Sequence, residues 1–196
     1  MNKKELMQNY NKIATEYSRF YTRKTWEPIK EFLKDKKQSI LDLGCGECPL
    51  AKEYPKHKFV GLDFSLELLK KCTSKYRLCA DIEKIPIKDN SFKYIISIAV
   101  IHHLPTEKSR LNFLKEIKRI LKPAGKAFIT SWLNVPEKTS KKIKDGDYLV
   151  PYGKYDRFYH IFTKKELESL IKQAGLDLET YKTDKKNQYI IITKTD

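Results

Sequence analysis

The chain has 196 residues, 40% of them hydrophobic, enough for one sizeable core and too few for two full domains. Its 40 Lys and Arg against 25 Asp and Glu leave a net charge of +15, which favours encounter with a polyanion, nucleic acid ahead of anionic membrane. The longest apolar run, residues 94–101, is far short of a bilayer span, and the opening MNKKELMQNYNK lacks an apolar leader core. The expectation is a soluble intracellular protein, cytoplasmic with the nucleus as a second compartment, and no membrane partner. A solvated lysine-rich surface explains the same charge, because many lysines fall in pairs such as Lys36–Lys37 and Lys185–Lys186.

Residues 1–37 read as a helical N-terminal segment. A short apolar run at 39–43, containing Asp42, predicts a first strand; it leads into Gly44-Cys45-Gly46 and a helix with Pro49 near its first turn. Residues 58–62 predict a second strand ending at Asp63-Phe64, and 65–74 an amphipathic helix. Residues 76–80 predict a third strand ending at Asp81-Ile82, and 94–99 a fourth ending at Ala99, just before His102-His103. From 107 to 121, Leu111, Leu114, Ile117, Ile120 and Leu121 recur at helical spacing. Residues 126–132 predict a fifth strand ending at Trp132. The next segment, rich in lysine and broken by Pro136, Gly146, Pro151 and Gly153, reads as a long loop over a binding face, spanning 134–160. Thr163, with Glu166 three residues later, opens a helix that stops at Gly175, and strands at 176–181 and 188–193 close the chain as a hairpin.

Strands alternating with helices predict one α/β domain over 1–196, its sheet mostly parallel and its ligands outside the carboxyl ends of the strands. The Gly-x-Gly loop lets backbone pass close to a ligand, yet Pro49 stands where a dinucleotide fingerprint needs its third glycine, which argues against NAD. Asp63 is placed to accept ribose hydroxyls, and Asp81-Ile82 to offer an acceptor and an apolar wall to an adenine. Each carboxylate alone is better read as a cap or turn residue; together, at the ends of consecutive strands, they point to a nucleoside. Cys45-x-x-Cys48 has the spacing of a zinc or dithiol site, but His102 and His103 lie too far along the chain to complete a local finger, so no metal is expected.

This constellation resembles the class I S-adenosylmethionine-dependent methyltransferases, with LDLGCG as the donor loop. The resemblance implies a Rossmann-like, mostly parallel seven-stranded sheet with helices on both faces and a C-terminal hairpin. It also implies donor contacts from Asp42, Gly44, Cys45, Gly46, Asp63, Phe64, Asp81, Ile82 and Ala99. Downstream, SIAVIHHLPT, LKPAGKAFITSW, DYLVPY and RFYHIFTKKELESL, together with YSRFYTRKTWEPIKEFL near the start, resemble the eukaryotic tRNA wobble-uridine methyltransferases that esterify a 5-carboxymethyl group. Departures are Cys48 for a usual glycine, Ala124 for another and Tyr152 for a tryptophan.

A carboxylate acceptor is already anionic and needs no general base, only an oxygen held in line with the donor methyl. Cationic partners for it are Arg23, Arg157 and His160; one of His102 and His103 lines the acceptor pocket while the other braces the loop. RNA contacts are expected from Arg23, Lys24, Trp132 and Tyr159, with residues 1–37 contributing to the substrate site. The resemblance further implies a small zinc-binding activator subunit that pairs with the edge strand at 76–80. A small-molecule methyltransferase and a non-catalytic RNA-binding module are the competing readings.

Overall fold

The computed structural model describes residues 3–17 and 26–195. Arg23 and Lys24 lie outside the described residues. Two helices, α1 (Lys3–Tyr17) and α2 (Glu27–Leu33), precede β1 (Ile40–Leu43), α3 (Pro49–Glu53), β2 (Phe59–Asp63), α4 (Leu66–Lys70) and β3 (Tyr76–Cys79). Then come β4 (Phe92–Ser97), a 3-10 turn (Ile101–His103), α5 (Glu107–Ile120) and β5 (Leu121–Trp132). The remainder is β6 (Lys141–Lys144), β7 (Asp147–Tyr152), β8 (Tyr155–His160), α6 (Lys164–Gln173), β9 (Asp177–Thr183) and β10 (Asn187–Thr193).

The main sheet has seven strands in the order β3-β2-β1-β4-β5-β10-β9. Its first five strands pair in parallel, and the β9–β10 hairpin adds antiparallel beside β5. Strand order reverses on either side of β1, so the crevice at the carboxyl ends of β1 and β4 is where such a sheet binds ligands.

Both faces of the sheet are covered, which explains why β1 reads as ILDL with all four residues buried. On one face Leu41, Leu43, Ile95 and Ile129 pack against Phe113, Leu114 and Ile117 of α5 and Leu167, Leu170 and Ile171 of α6. On the other, Ile40, Phe59, Ile96 and Phe128 meet Ile29, Phe32 and Leu33 of α2. The period-two alternation of the strands therefore meets the helical spacing of α5 and α6 on one side and of α2 on the other. Trp26, immediately before α2, sets its ring edge-on to Tyr189 and Phe128. Both helix starts anticipated downstream are capped: Thr106 Oγ1 accepts from Ser109 N at 3.0 Å and Thr163 Oγ1 from Glu166 N at 3.2 Å. Among the described residues no helix is long and apolar enough to cross a membrane.

The expected loop at 134–160 is instead mostly a second sheet, antiparallel, with strand order β6-β7-β8. Pro151 lies on β7 beyond the last residue paired with β6, and Gly146 and Gly153 lie in the turns, so none of them interrupts the β7–β8 pairing. The sheet leans on the 3-10 turn and on α1.

Phe113 has no exposed surface, whereas Leu66 is 52% exposed on α4. Phe113→Ala is expected to cost about 3–5 kcal/mol and Leu66→Ala within about 0.5 kcal/mol, read from denaturant midpoints.

Candidate active site

The carboxyl ends of β1 and β4 open onto one cleft, lined by Asp42, Gly44, Cys45, Gly46, Glu47 and Ile98 among others. Gly44 has φ +72°, and a Cβ there would stand 2.3 Å from Val100 Cγ2, so only glycine permits this path. The N–H groups of Gly44 and Cys45 both donate to Leu62 O, at 2.7 and 3.0 Å, which turns the loop across β2.

Asp63 secures that turn. Its Oδ2 accepts from Gly46 N and its Oδ1 from Ser65 N, each at 2.8 Å. Ser65 in turn caps α4 by accepting from Leu68 N at 3.3 Å and donates to Asn11 Oδ1 at 2.6 Å, which brings α1 to the cleft. Burial raises the Asp63 carboxyl above its ordinary value, and the N–H donors of Ser65, Gly46 and Phe64 oppose that rise. Each oxygen keeps lone-pair capacity for a further donor. Asp42 is fully enclosed and pushed up to about 7, by burial first and the charge of Asp63 second. Phe64 is half-buried and meets Tyr10 of α1 edge-on at 5.8 Å. Asp81 Oδ1 accepts from Glu83 N at 2.9 Å, forming a turn, while Ile82 is buried in the main core. Ala99 adopts φ 57°, a sparsely populated conformation for alanine, and its N–H donates to Thr130 Oγ1 at 2.8 Å.

The C-x-x-C pair does not join. Cys48 forms a disulfide with Cys72 just beyond α4, while Cys45 stays a buried thiol in the turn, raised by the same burial. Among the described residues no group of three or more His, Cys, Asp or Glu could hold a metal ion. Cys48 has φ 58°, the left-handed conformation that glycine adopts freely, and its cross-link to Cys72 holds the start of α3 there.

Beyond the cleft stands a second group of side chains. His102 is wholly buried, 4.7 Å from the Tyr159 ring and 6.3 Å from Trp132, and among the described residues neither of its ring nitrogens has a hydrogen-bond partner. Burial, then the neighbouring His103, Arg157 and His160, hold its pKa well below the usual histidine range, so the ring is neutral. His103 is held at both ends: Nδ1 donates to Phe158 O at 2.9 Å and Nε2 accepts from the Tyr10 hydroxyl at 2.8 Å. Burial pushes it down to about 3. His103 therefore braces the turn, and His102 is the one with free nitrogens.

Arg157 lies between aromatic rings, its guanidinium 4.7 Å from Tyr152 and 5.2 Å from Tyr159. Its Nε is buried without a partner, and no carboxylate pairs with it among the described residues. Trp132 is half-buried and meets Tyr159 edge-on at 5.1 Å.

Two expectations are corrected. His160 cannot serve a substrate carboxylate, because its Nδ1 reaches Asp147 Oδ1 at 2.5 Å and its Nε2 reaches Glu166 Oε1 at 2.6 Å. Both its donor directions are spent inside the protein, and it ties β7 and β8 to α6. Tyr159 is 1% exposed, so its ring supports His102, His103 and Arg157 and presents no face for an RNA base. Sequence reasoning missed Tyr10, Asp147 and Glu166. The Thr163-x-x-Glu166 pattern pointed at Glu166 as a capping residue; its backbone fills that role while its carboxylate turns to His160 and Arg110.

Comparisons with known proteins agree with this geometry. Residues 41–129 match the family described as a methyltransferase domain. The chain is 31% identical over 219 aligned residues to a tRNA (carboxymethyluridine(34)-5-O)-methyltransferase of Schizosaccharomyces pombe, covering 95% of each. It is 36% identical over 142 residues to the Arabidopsis thaliana protein of the same description, covering 70% of this chain and 35% of that one. Among solved structures, one from the complex between a methyltransferase activator and a methyltransferase of Haloferax volcanii matches with TM-score 0.72 at 15% identity, covering 97% of this chain and 98% of that chain. The Burkholderia thailandensis 1,6-didemethyltoxoflavin-N1-methyltransferase, solved with S-adenosylhomocysteine, matches with TM-score 0.74 at 15% identity over 98% of this chain and 88% of that one. At such identities the structural likeness is one of fold.

The buried Asp42 generates a pH prediction. A carboxyl whose folded pKa is raised to about 7 holds a proton that the unfolded chain has already released, so its stability contribution is full below about pH 4 and is lost as pH rises to about 7. Asp42→Asn has no such proton to lose. The stability of the variant relative to wild type is expected to rise by on the order of 2–4 kcal/mol from pH 4 to pH 7, measured by urea unfolding without donor.

Proposed function

The chain belongs to the tRNA (carboxymethyluridine(34)-5-O)-methyltransferase family, and from that premise we propose that it transfers a methyl group from S-adenosylmethionine to the carboxylate of 5-carboxymethyluridine at the tRNA wobble position, giving the methyl ester. One observation carries the proposal: Arg157, an arginine without a carboxylate partner among the described residues, stands among aromatic rings beyond the cleft that Asp42, Gly44 and Ile98 line at the strand ends.

The residues of the cleft fit the donor. The space beside Gly44 that a Cβ would need is already closed by Val100, so the loop exposes backbone to the cleft, and Asp63 retains acceptor capacity for ribose hydroxyls. Asp42 is assigned to the cationic amino-acid end, Asp81 and Ile82 to the adenine side, and Cys45, Gly46, Phe64 and Ala99 to the remaining contacts, all by resemblance. The bound donor supplies an electrophilic methyl group on a sulfonium centre.

The chain then needs only to present an oxygen. The acceptor carboxylate is ionised at neutral pH, and its nucleophilic lone pair needs no base. Arg157 can hold one carboxylate oxygen with its planar fork and leave the other directed at the methyl group. His102, wholly buried and kept neutral, adds no competing cation behind Arg157, and Trp132 offers a half-buried ring for stacking. Arg23 and Lys24 remain assigned to substrate by resemblance. The net charge of +15 suits a tRNA ligand, and the cytoplasm is the compartment this substrate implies.

A small zinc-binding activator is proposed to pair with β3. Support comes from the position of β3 at the sheet edge, with Tyr76 54% exposed, and from the activator complex formed by the Haloferax volcanii relative in fold. Tyr76→Glu places a charge on that edge without touching the core. Co-purification with the activator is expected to be lost and donor binding kept; an isolated chain that is monodisperse and fully active would remove the need for a partner.

Labelled donor with tRNA bearing or lacking the carboxymethyl group tests the reaction. Label is expected only in the carboxymethylated RNA and in base-labile form. Turnover of free carboxylic acids with none of tRNA would favour a small-molecule enzyme, and absence of donor binding a non-catalytic module. Arg157→Lys keeps the charge and loses the fork, so single-turnover methylation is expected to fall about tenfold or more with donor affinity unchanged. A wild-type rate would move the carboxylate clamp to another residue.

A further inference from the structure

The small sheet has a face whose composition the methyl-transfer site does not account for. Opposite residues of an antiparallel pair project to the same side. Tyr152 pairs with Tyr155, Val150 with Arg157 and Tyr148 with Tyr159, so these six share one face. Its inner end is closed: Val150 and Tyr159, each 1% exposed, pack with Val135 against Trp132. Its outer end is open, with Tyr152 and Tyr155 half-buried and Lys154 exposed.

Cations are spaced along these rings. Lys12 of α1 and Lys154 of the β7–β8 turn stand 5.7 and 5.5 Å from the centre of the Tyr155 ring. Arg157 bridges Tyr152 and Tyr159 further in. Lys154, like Arg157, has no carboxylate partner among the described residues. Asn9 Nδ2 donates to Asp156 O at 2.9 Å and fixes α1 beside the strand, so Lys12 keeps its place at Tyr155.

Aromatic rings interleaved with cations on a continuous surface are what a single strand of nucleic acid requires: faces for its bases and charges for its phosphates. We propose that this track, Tyr155 with Lys12 and Lys154 and then Tyr152, binds the unpaired nucleotides that flank the target uridine and leads the strand to Arg157. The strand rises about 3.3 Å per residue, so Tyr155 lies roughly 13 Å from Tyr159, within reach of neighbouring nucleotides and beyond the target base. The proposal rests on the tRNA reading above and adds where the anticodon loop lies.

The test uses the full chain, a fluorescently labelled anticodon stem-loop for binding, and the carboxymethylated stem-loop for methylation. Tyr155→Ala is expected to weaken stem-loop binding about fivefold to a hundredfold, with Tyr155→Phe close to wild type, because the ring face carries the contact. Lys12→Ala and Lys154→Ala are each expected to lower the slope of log Kd against log salt by about 0.7, while Tyr155→Ala leaves the slope unchanged. Donor affinity in every variant should equal that of wild type, which also shows that the fold is intact. Stem-loop binding by Tyr155→Ala within about twofold of wild type overturns the track, and so does failure of the wild-type chain to bind the stem-loop. If lysine substitutions alone matter, and anionic vesicles are bound with the same dependence, the patch is a general polyanion or lipid surface and the proposal falls. A wild-type chain that binds the stem-loop through Tyr155 yet never methylates the carboxymethylated form refutes the proposed reaction and leaves the track standing.

Discussion

The carboxylate of Asp63 accepts one N–H from the loop after β1 and another from the start of α4, and these two bonds set the geometry on which the cleft depends. Buried almost completely, the group is costly to ionise, and only a ring of backbone donors makes the charged form tolerable there. The same bonds hold Gly46 in its turn, start α4 at Ser65 and, through the Ser65 bond to Asn11, draw α1 against the donor side. A ligand hydroxyl arriving at Asp63 thus meets an acceptor already oriented, so little ordering entropy remains to be lost on binding.

The acceptor side is built on the opposite electrostatic principle. His102 and His103 are both deprived of charge by burial, and His160 is enclosed by two carboxylates. Among the described residues Arg157 faces the Tyr152 and Tyr159 rings with no carboxylate partner. An anionic nucleophile in such a place meets one positive group that can orient it, while further cations would withdraw electron density from the oxygen that must react. The division of labour between the two histidines follows from their partners. The Phe158 carbonyl and the Tyr10 hydroxyl occupy both nitrogens of His103, so it transmits the position of β8 and α1 to the turn.

The small sheet joins these parts. Asp147 of β7, His160 of β8 and the half-buried Glu166 of α6 form one polar chain, with Arg110 of α5 at 3.9 Å from Glu166. Asp147, His160 and Glu166 engage one another within it, which favours a single arrangement. It therefore holds the sheet at one distance from the main fold, and with it the rings that carry Arg157.

Much of this was legible in the residues themselves. The order of strands and helices, the two-sided burial of β1, the glycine turn after it and the carboxylates at successive strand ends all follow from local spacing, because side-chain period and turn chemistry are properties of short segments. The closing hairpin and the Thr163 cap were readable for the same reason. The segment at 134–160 was not: its lysines and turn residues have the composition of a loop, and its strands form because β8 pairs with β7 and packs on the 3-10 turn. Nor could spacing assign Cys48 to Cys72, 24 residues away, rather than to Cys45 three residues away. The roles of His102, His103 and His160 were equally closed to the sequence, since a histidine's charge and availability depend on which groups reach its two nitrogens. Those groups, Tyr10, Asp147 and Glu166 among them, come from segments far apart in the chain and meet only when the sheet and helices have packed.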